Sequence, residues 1–218
     1  LPADILVAGC RSGLCEVEVS MSGMGQRVKI VDVSLANVDT TGFFCYMSKR
    51  KSEGYARKLR WLKKRFDEGL RIKMIVEGGR GFIEYIPGEF AWRGVEAKNF
   101  MFIHCIWVVG QSKGKGDATL LLNACINDAR NANMDGVAIV TSEGNWLVSK
   151  AFFLKNKFES VDAAPPSFEL LVKTFCDVPS PSFIESIGLR ARRYKSGLTV
   201  FRSDQCPYLE DATKTVET

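Results

Sequence analysis

The stretch richest in chemical possibility is VVGQSKGKGDATLLLNA, where an apolar run ends in a loop carrying Gly110, Gly114 and Gly116 and a helix-forming run opens at Asp117. Glycines let backbone N–H groups come close to a ligand, and a helix starting behind them adds aligned peptide dipoles and unpaired donors. Lys113 and Lys115 place positive charge beside those amides. Such a loop suits a phosphate or diphosphate; its plain alternative is a structural turn. Two well-known phosphate loops fail on spacing. One needs Gly-Lys followed by Ser or Thr, whereas Gly114-Lys115 is followed by Gly116, and a GxGxxG loop needs a glycine where Thr119 stands. The loop also lies late in the chain, whereas a dinucleotide fingerprint opens its unit.

Acid–base chemistry has three candidates. Glu84 and Glu89 flank the Pro87-Gly88 turn, and His104, the one histidine, lies in the apolar run FMFIHCIWVV. Glu84 reads equally as the exposed position of an alternating strand, and His104 as a hydrogen-bonded core residue. Period-two alternation sends His104 and Cys105 to opposite faces of a strand, which argues against a Cys–His nucleophile pair. A single histidine and no CxxC pair predict no metal site. The seven cysteines are an odd number, and Cys45, Cys105 and Cys125 lie in apolar segments as buried thiols do, so a reducing cytoplasm is expected.

A sheet is needed to position these groups. VKIVDV (28–33) reads as a strand and NVDTTG as a turn. In the basic stretch that follows, Tyr55, Leu59, Leu62 and Phe66 mark one face of an amphipathic helix ended by Gly69. RIKMIVE (71–77) and GFIEYI (81–86) straddle Gly78-Gly79-Arg80 as a hairpin. EFAWRGVE follows the Pro87-Gly88 turn, and NFMFIHCIWVV (99–109) is apolar on both faces, as a strand covered on both sides is. Beyond the loop come a helix from Asp117 to Asn133, a strand GVAIVTS (136–142), a helix from Trp146 to Lys157, a break at AAPPS and a strand FELLVKTF (168–175). This order predicts an α/β (α+β) fold with a mixed sheet and a parallel pairing around the glycine loop. Residues 1–25 lack periodicity and read as an arm or leader.

The chain has 218 residues, 46% hydrophobic and 25% charged, with 14 Phe and 4 Trp. That is the balance of one folded domain, or one with an appendage, and it excludes wholesale disorder and collagen-like structure. The longest apolar run, Phe100 to Val109, is half of the roughly 20 residues a bilayer span needs. LPADILVAGC has no basic start and carries Asp4, so neither a membrane span nor a secretory signal is expected. The net charge of +5 is uneven: nine Lys/Arg and a single acid, Glu53, fall between Lys49 and Arg65, and RARRYK covers 190–195. These clusters read as solvated helix faces or as a grip on the phosphates of RNA, DNA or a nucleotide. A nucleic-acid or ribosome-associated binding module is therefore the alternative function.

The glycine loop resembles the acetyl-coenzyme A (acetyl-CoA) loop of the GNAT acyltransferase superfamily, Q/R-x-x-G-x-G/A between that family's fourth strand and a helix. Gln111-x-x-Gly114-x-Gly116 satisfies the letters. The register from Lys113 to Ala118 instead sets Leu121 and Leu122 where the family's helix packs, with a Lys that meets phosphate as a point charge in place of Arg or Gln. Downstream, Phe152-Phe153-Leu154-Lys155-Asn156-Lys157-Phe158 is similar to the second half of A-x-x-L-Y-x-K-x-G-F, with Phe153 for the Tyr that often protonates the leaving thiolate and Lys157 for the Gly. Elements 28–175 follow the family's order.

The resemblance implies a GNAT-like mixed, mostly antiparallel sheet with a splayed parallel pair, flanked by helices. It also implies acetyl transfer from acetyl-CoA to an amine by direct attack in a ternary complex. Pantetheine would lie along the backbone of Ile106, Trp107 and Val108, with an amide of that strand stabilising the oxyanion. The diphosphate would rest on Lys113, Gly114, Lys115, Gly116, Asp117 and Ala118, and Glu84, Glu89 or His104 would serve as base. The acceptor is a small molecule or a protein, and the two glutamates favour a cationic one. Phe153 keeps open a chain that binds CoA without turnover.

Within the superfamily, GFIEYIPGEFAWR, FIHCIW and GLTVFRSDQCPY are similar to a YoaP-like branch whose acetyltransferase domain precedes a thioredoxin-like piece. That division gives an acetyltransferase domain at 26–176 and an extension at 177–218, a truncated thioredoxin-like stub in which a strand delivers Cys206-Pro207-Tyr208 to a helix start. The alternative is a plain surface cysteine, because Leu209 stands where a CxxC has its second Cys.

Overall fold

The computed structural model describes residues 16–20, 27–110, 114–143, 147–185, 192–194 and 203–208. Its centre is an eight-stranded sheet of β1 (Glu16–Ser20), β2 (Arg27–Val33), β3 (Arg71–Glu77), β4 (Gly81–Pro87), β6 (Phe100–Val108), β7 (Gly136–Ser142), β9 (Phe168–Thr174) and β8 (Glu159–Ala164), in that spatial order. Short strands β5 (Val95–Glu96) and β10 (Ser182–Phe183) pair separately. The neighbours β6 and β7 run parallel, and every other neighbouring pair is antiparallel. The expected mixed, mostly antiparallel sheet flanked by helices is what the chain forms.

Helices α1 (Val38–Thr41) and α2 (Glu53–Arg65) cover one face, and α3 (Asp117–Asn131) and α4 (Lys150–Lys155) the other. Ser52 caps α2 by accepting the Tyr55 N–H at 3.2 Å, and Lys63, Lys64 and Arg65 sit in its last turn, where the helix dipole favours positive charge. Tyr55 and Leu62 are buried beneath it with Phe82 and Ile86 of β4. On the other face Leu121, Leu122 and Cys125 of α3 meet Ile83 and Tyr85 of β4 and Met101 and Ile103 of β6. Tyr85 donates to Asp128 of α3, which also meets Lys73 at 3.2 Å and Arg71 at 3.1 Å, so one carboxylate ties the helix to two strands.

Two readings of β4 and β6 need correction. Glu84 is not an exposed position, because β4 is central and covered on both faces: it is fully buried. His104 and Cys105 do not point to opposite faces. The ladder pairs Glu84 with Cys105 but Tyr85 with Ile103, so His104 is an extra residue, a β-bulge. The bulge resets the alternation. His104 packs on Trp92 and Phe102, Cys105 packs against the α2-side cluster, and Ile106 takes the α3 side.

Other departures are local. The helix expected from Trp146 is shorter, starting at Lys150 behind a Ser149 cap, and Trp146 lies outside the described residues. β8 occupies ESVDAA, of which only the last two residues belong to the break read at AAPPS and the rest carry no sequence assignment, because it is an edge strand with few apolar residues. Part of the segment read as an arm is a strand, β1, on the other edge. The strand expected within GLTVF lies outside the described residues.

Lys157 stands in a left-handed conformation, φ 63°, where the family pattern has Gly. The Phe158 N–H reaches back to the Phe153 carbonyl at 3.1 Å, closing α4 as helices ending in glycine do. A lysine there is strained, so Lys157→Gly is expected to raise stability by about 0.5–1 kcal/mol in urea unfolding.

Candidate active site

The parallel ladder between β6 and β7 runs only from Phe100 opposite Gly136 to Ile103 opposite Ile139. Beyond it β6 continues against β4 as far as Val108, and β7 continues against β9 as far as Ser142. The two strands therefore part at the bulge and leave a slot. Alternate residues of β6 past His104 turn their N–H and C=O away from β4 and toward that slot.

At its mouth lies a cavity of about 580 Å³, lined by Ile106, Trp107 and Val108 of β6, by Gly114, Gly116 and the first turn of α3, and by Val148, Phe152, Lys155 and Asn156. Gly114 and Gly116 both hold left-handed φ, 78° and 93°, which explains glycine at each. A side chain at Gly114 would meet nothing within 4 Å, so conformation and not crowding selects glycine there. The N–H of Leu120 reaches the Gly116 carbonyl at 2.9 Å as the first bond of α3, so the amides of Asp117, Ala118 and Thr119 precede the helical ladder.

The structure thus brings together Ile106, Trp107, Val108, Gly114, Gly116, Asp117 and Ala118. Lys115 is exposed on the same loop, and Lys113 lies outside the described residues. Asp117 contributes its amide. Its carboxylate is buried, with one oxygen lacking a hydrogen-bond partner among the described residues, and it would repel an anion. Phe153 lies fully in the core against Phe158 and offers no hydroxyl.

The three acid–base candidates are not brought to the slot as bases. Glu84 Oε2 is locked to Lys58 Nζ at 2.8 Å, and its Oε1 accepts from Gln205 Nε2 at 2.9 Å. Glu89 is exposed on the 3-10 turn after β4, past the Pro87–Met101 end of the ladder where β6 and β7 are still paired. His104 is 5% exposed and core, as the plain reading has it, but it is not hydrogen-bonded: neither ring nitrogen has a partner among the described residues. Burial, with Arg93 and Lys58 nearby, pushes its pKa well below the ordinary histidine value. The thiols of Cys45, buried, and Cys105, half-buried, are poor nucleophiles. Burial pushes Cys45 up to about 11 and raises Cys105 as well, with the Glu84 charge adding to both.

Sequence reasoning missed Lys58, Trp92 and Gln205. Lys58 had a signal, since it lies three residues after Tyr55 and four before Leu62, on the apolar stripe. Gln205 had none. The basic cluster is largely spent within the fold: Lys63 pairs with Asp39, Arg60 with Glu53 and Arg65 with Glu68, while Lys58 is buried. Among the described residues no group of His, Cys, Asp and Glu could hold a metal, and no helix is long and apolar enough to cross a membrane.

A glycine loop at a helix start, set beside a parting parallel pair in a mixed sheet, defines the class: the chain belongs to the GNAT family of N-acetyltransferases. Over 182 residues it is 35% identical to the uncharacterised N-acetyltransferase YoaP of Bacillus subtilis (strain 168), a match covering 82% of this chain and 72% of YoaP. No protein-family profile matches it. Among solved structures, a ribosomal-protein-alanine N-acetyltransferase from Brucella melitensis is 17% identical with a TM-score of 0.48, over 67% of this chain and 99% of that one. The PaiA N-acetyltransferase from Thermoplasma acidophilum, in complex with coenzyme A, is 14% identical with a TM-score of 0.44, over 68% and 99%.

Proposed function

We propose that the chain moves an acetyl group from acetyl-CoA to an amine by direct attack within a ternary complex. The observation that carries this reading is the parting of β6 from β7 beside a cavity walled by the glycine loop and the start of α3. Acetyl-CoA would supply the activated thioester. The amides from Gly114 to Ala118 would bind its diphosphate, with Lys115 and Lys155 adding positive charge. The outward-turned N–H groups of Ile106 and Val108, on either side of Trp107, would hold the pantetheine arm and polarise the carbonyl. No nucleophilic side chain is required, in keeping with the Cys45 and Cys105 thiols beside Glu84 being held protonated by burial.

The reading assigns no protein base: the amine gives its proton to water. Glu89→Gln is then expected to leave turnover within about twofold, against the 100-fold or greater loss that removing a general base brings. A second reading, a chain that binds CoA without turnover, has the buried Phe153 in its favour. Residues 26–176 would form the acetyltransferase unit, working in the cytoplasm on an amine-bearing small molecule or protein.

The test is thermal unfolding with CoA, acetyl-CoA, ATP and NAD. Acetyl-CoA at ten times its Kd is expected to add about 1.4 kcal/mol of stability, seen as a raised Tm. Gly116→Glu, which forces a side chain and a negative charge into a left-handed position facing the cavity, should abolish that shift. No shift in the native protein, together with steeply salt-dependent RNA binding that survives Gly116→Glu, would favour the nucleic-acid module instead. Measuring acetyl transfer separates the enzyme from a CoA-binding protein.

A further inference from the structure

Gln205 comes to β4 from 121 residues beyond Glu84, and its side chain is buried. Its carboxamide is bound at both ends. Nε2 donates to Glu84 Oε1 at 2.9 Å, and Oε1 accepts the Trp92 indole N–H at 3.1 Å. Both partners are fixed by something other than Gln205. Glu84 keeps its second oxygen on Lys58. Trp92 lies flat on His104, ring centroids 3.6 Å apart and planes 4° apart, and receives Trp61 edge-on at 4.5 Å. The result is a preformed cradle: one anionic acceptor and one N–H donor spaced for the N–H and C=O of a single amide.

On either side of Gln205 the described residues alternate, with Asp204, Cys206 and Tyr208 exposed and Pro207 buried. Asp204 and Arg57 stand 3.9 Å apart at partly exposed positions, where an ion pair contributes little. Half-exposed Tyr208 meets Tyr46 and Trp107 edge-on. The location of the cradle is specific. Glu84 is paired with Cys105, and Trp92 covers His104, the bulge residue at which β6 leaves β7. It therefore flanks the closed end of the slot, on the sheet face opposite α3.

We infer that Glu84 and Trp92 form an amide-binding subsite for the acceptor, taking a carboxamide or a peptide group, and that Gln205 fills it as a built-in competitor that the acceptor displaces. As a statement about the acceptor this rests on the acyl-transfer reading; the amide cradle itself does not. Binding to it requires no acetyl-CoA, so failure of either idea is seen separately.

The test uses the full chain and propionamide, which is the glutamine side chain as a free molecule. The Trp92 indole N–H resonance, assigned with Trp92→Phe, is expected to move in Gln205→Ala. Propionamide should return it saturably, with half-saturation on the order of 10 mM for so small a ligand. Butanone, the same shape without the N–H donors, should not, and the wild type should respond to propionamide at least about tenfold more weakly, because Gln205 holds the site. A response to propionamide that never saturates, or an equal response to butanone, overturns the proposal. Should Gln205→Ala not fold, hydrogen exchange in the wild type decides. The Trp92 indole N–H is expected to be protected about 100-fold less than the Leu121 amide, through local opening of 203–208. Equal protection would make Gln205 a fixed part of the core and overturn the proposal.

Discussion

Lys58→Met is expected to destabilise the protein by about 3–5 kcal/mol, the loss seen when one partner of a buried ion pair is removed. Lys58 is 2% exposed and Glu84 0%, and they meet at 2.8 Å between α2 and β4. Methionine keeps most of the lysine stem, so the core stays filled, but the Glu84 carboxylate is left charged with Gln205 as its remaining hydrogen-bond donor among the described residues. Burial alone would lower the Lys58 pKa; the Glu84 charge and hydrogen bond outweigh it and hold it above the ordinary lysine value. A raised folded pKa contributes stability that is complete below the unfolded value of about 10.4 and is lost only as pH rises through the folded value. Lys58→Met with Glu84→Gln should recover most of the loss, because no charge is stranded and the new carboxamide oxygen still accepts from Gln205. Urea unfolding with unchanged m decides. A double variant as unstable as the single one would mean that a stranded charge is not the cause.

This pair also shows where the sequence is legible and where it is not. The central strands, the hairpin at 78–80, the α2 stripe and the helix behind the glycine loop follow from period and punctuation, because each is a local consequence of side-chain spacing. The loop residues Gly114 and Gly116 were readable for the same reason, since a left-handed φ leaves its mark in residue type. The roles of Glu84 and His104 were not. Glu84 looks like one polar position of an alternating strand until β4 is known to be central, with helices on both faces. A bulge inserts one residue without a composition signal, so the parity of His104 and Cys105 is set only by pairing with β4. Gln205 joins Glu84 from 121 residues away, a contact that no local pattern encodes.

His104 makes the fold acid-sensitive in a way that one substitution can isolate. It is the only histidine of the chain, buried and stacked on Trp92 with Phe102 tilted against it, and Arg93 and Lys58 are the charges near it. Burial and those two cations hold its pKa well below the ordinary value in the folded state, whereas the unfolded chain takes up the proton near pH 6.5. Below pH 6.5 the unfolded state therefore binds one more proton than the native state, and stability falls as pH falls, by about 1.4 kcal/mol per unit until the folded pKa is reached. Between pH 7.5 and pH 5 this amounts to about 2 kcal/mol. His104→Phe keeps a flat ring against Trp92 and removes the titrating group, so the variant's urea-unfolding free energy should decline less over that interval by about the same amount. The comparison lies in the pH slopes, which cancels the carboxylates common to both proteins and any packing change in the variant. Equal slopes would mean that the folded imidazole accepts its proton as readily as the unfolded one. Burial and the two cations oppose that outcome, and so does the lack of an acidic hydrogen-bond partner for either ring nitrogen among the described residues.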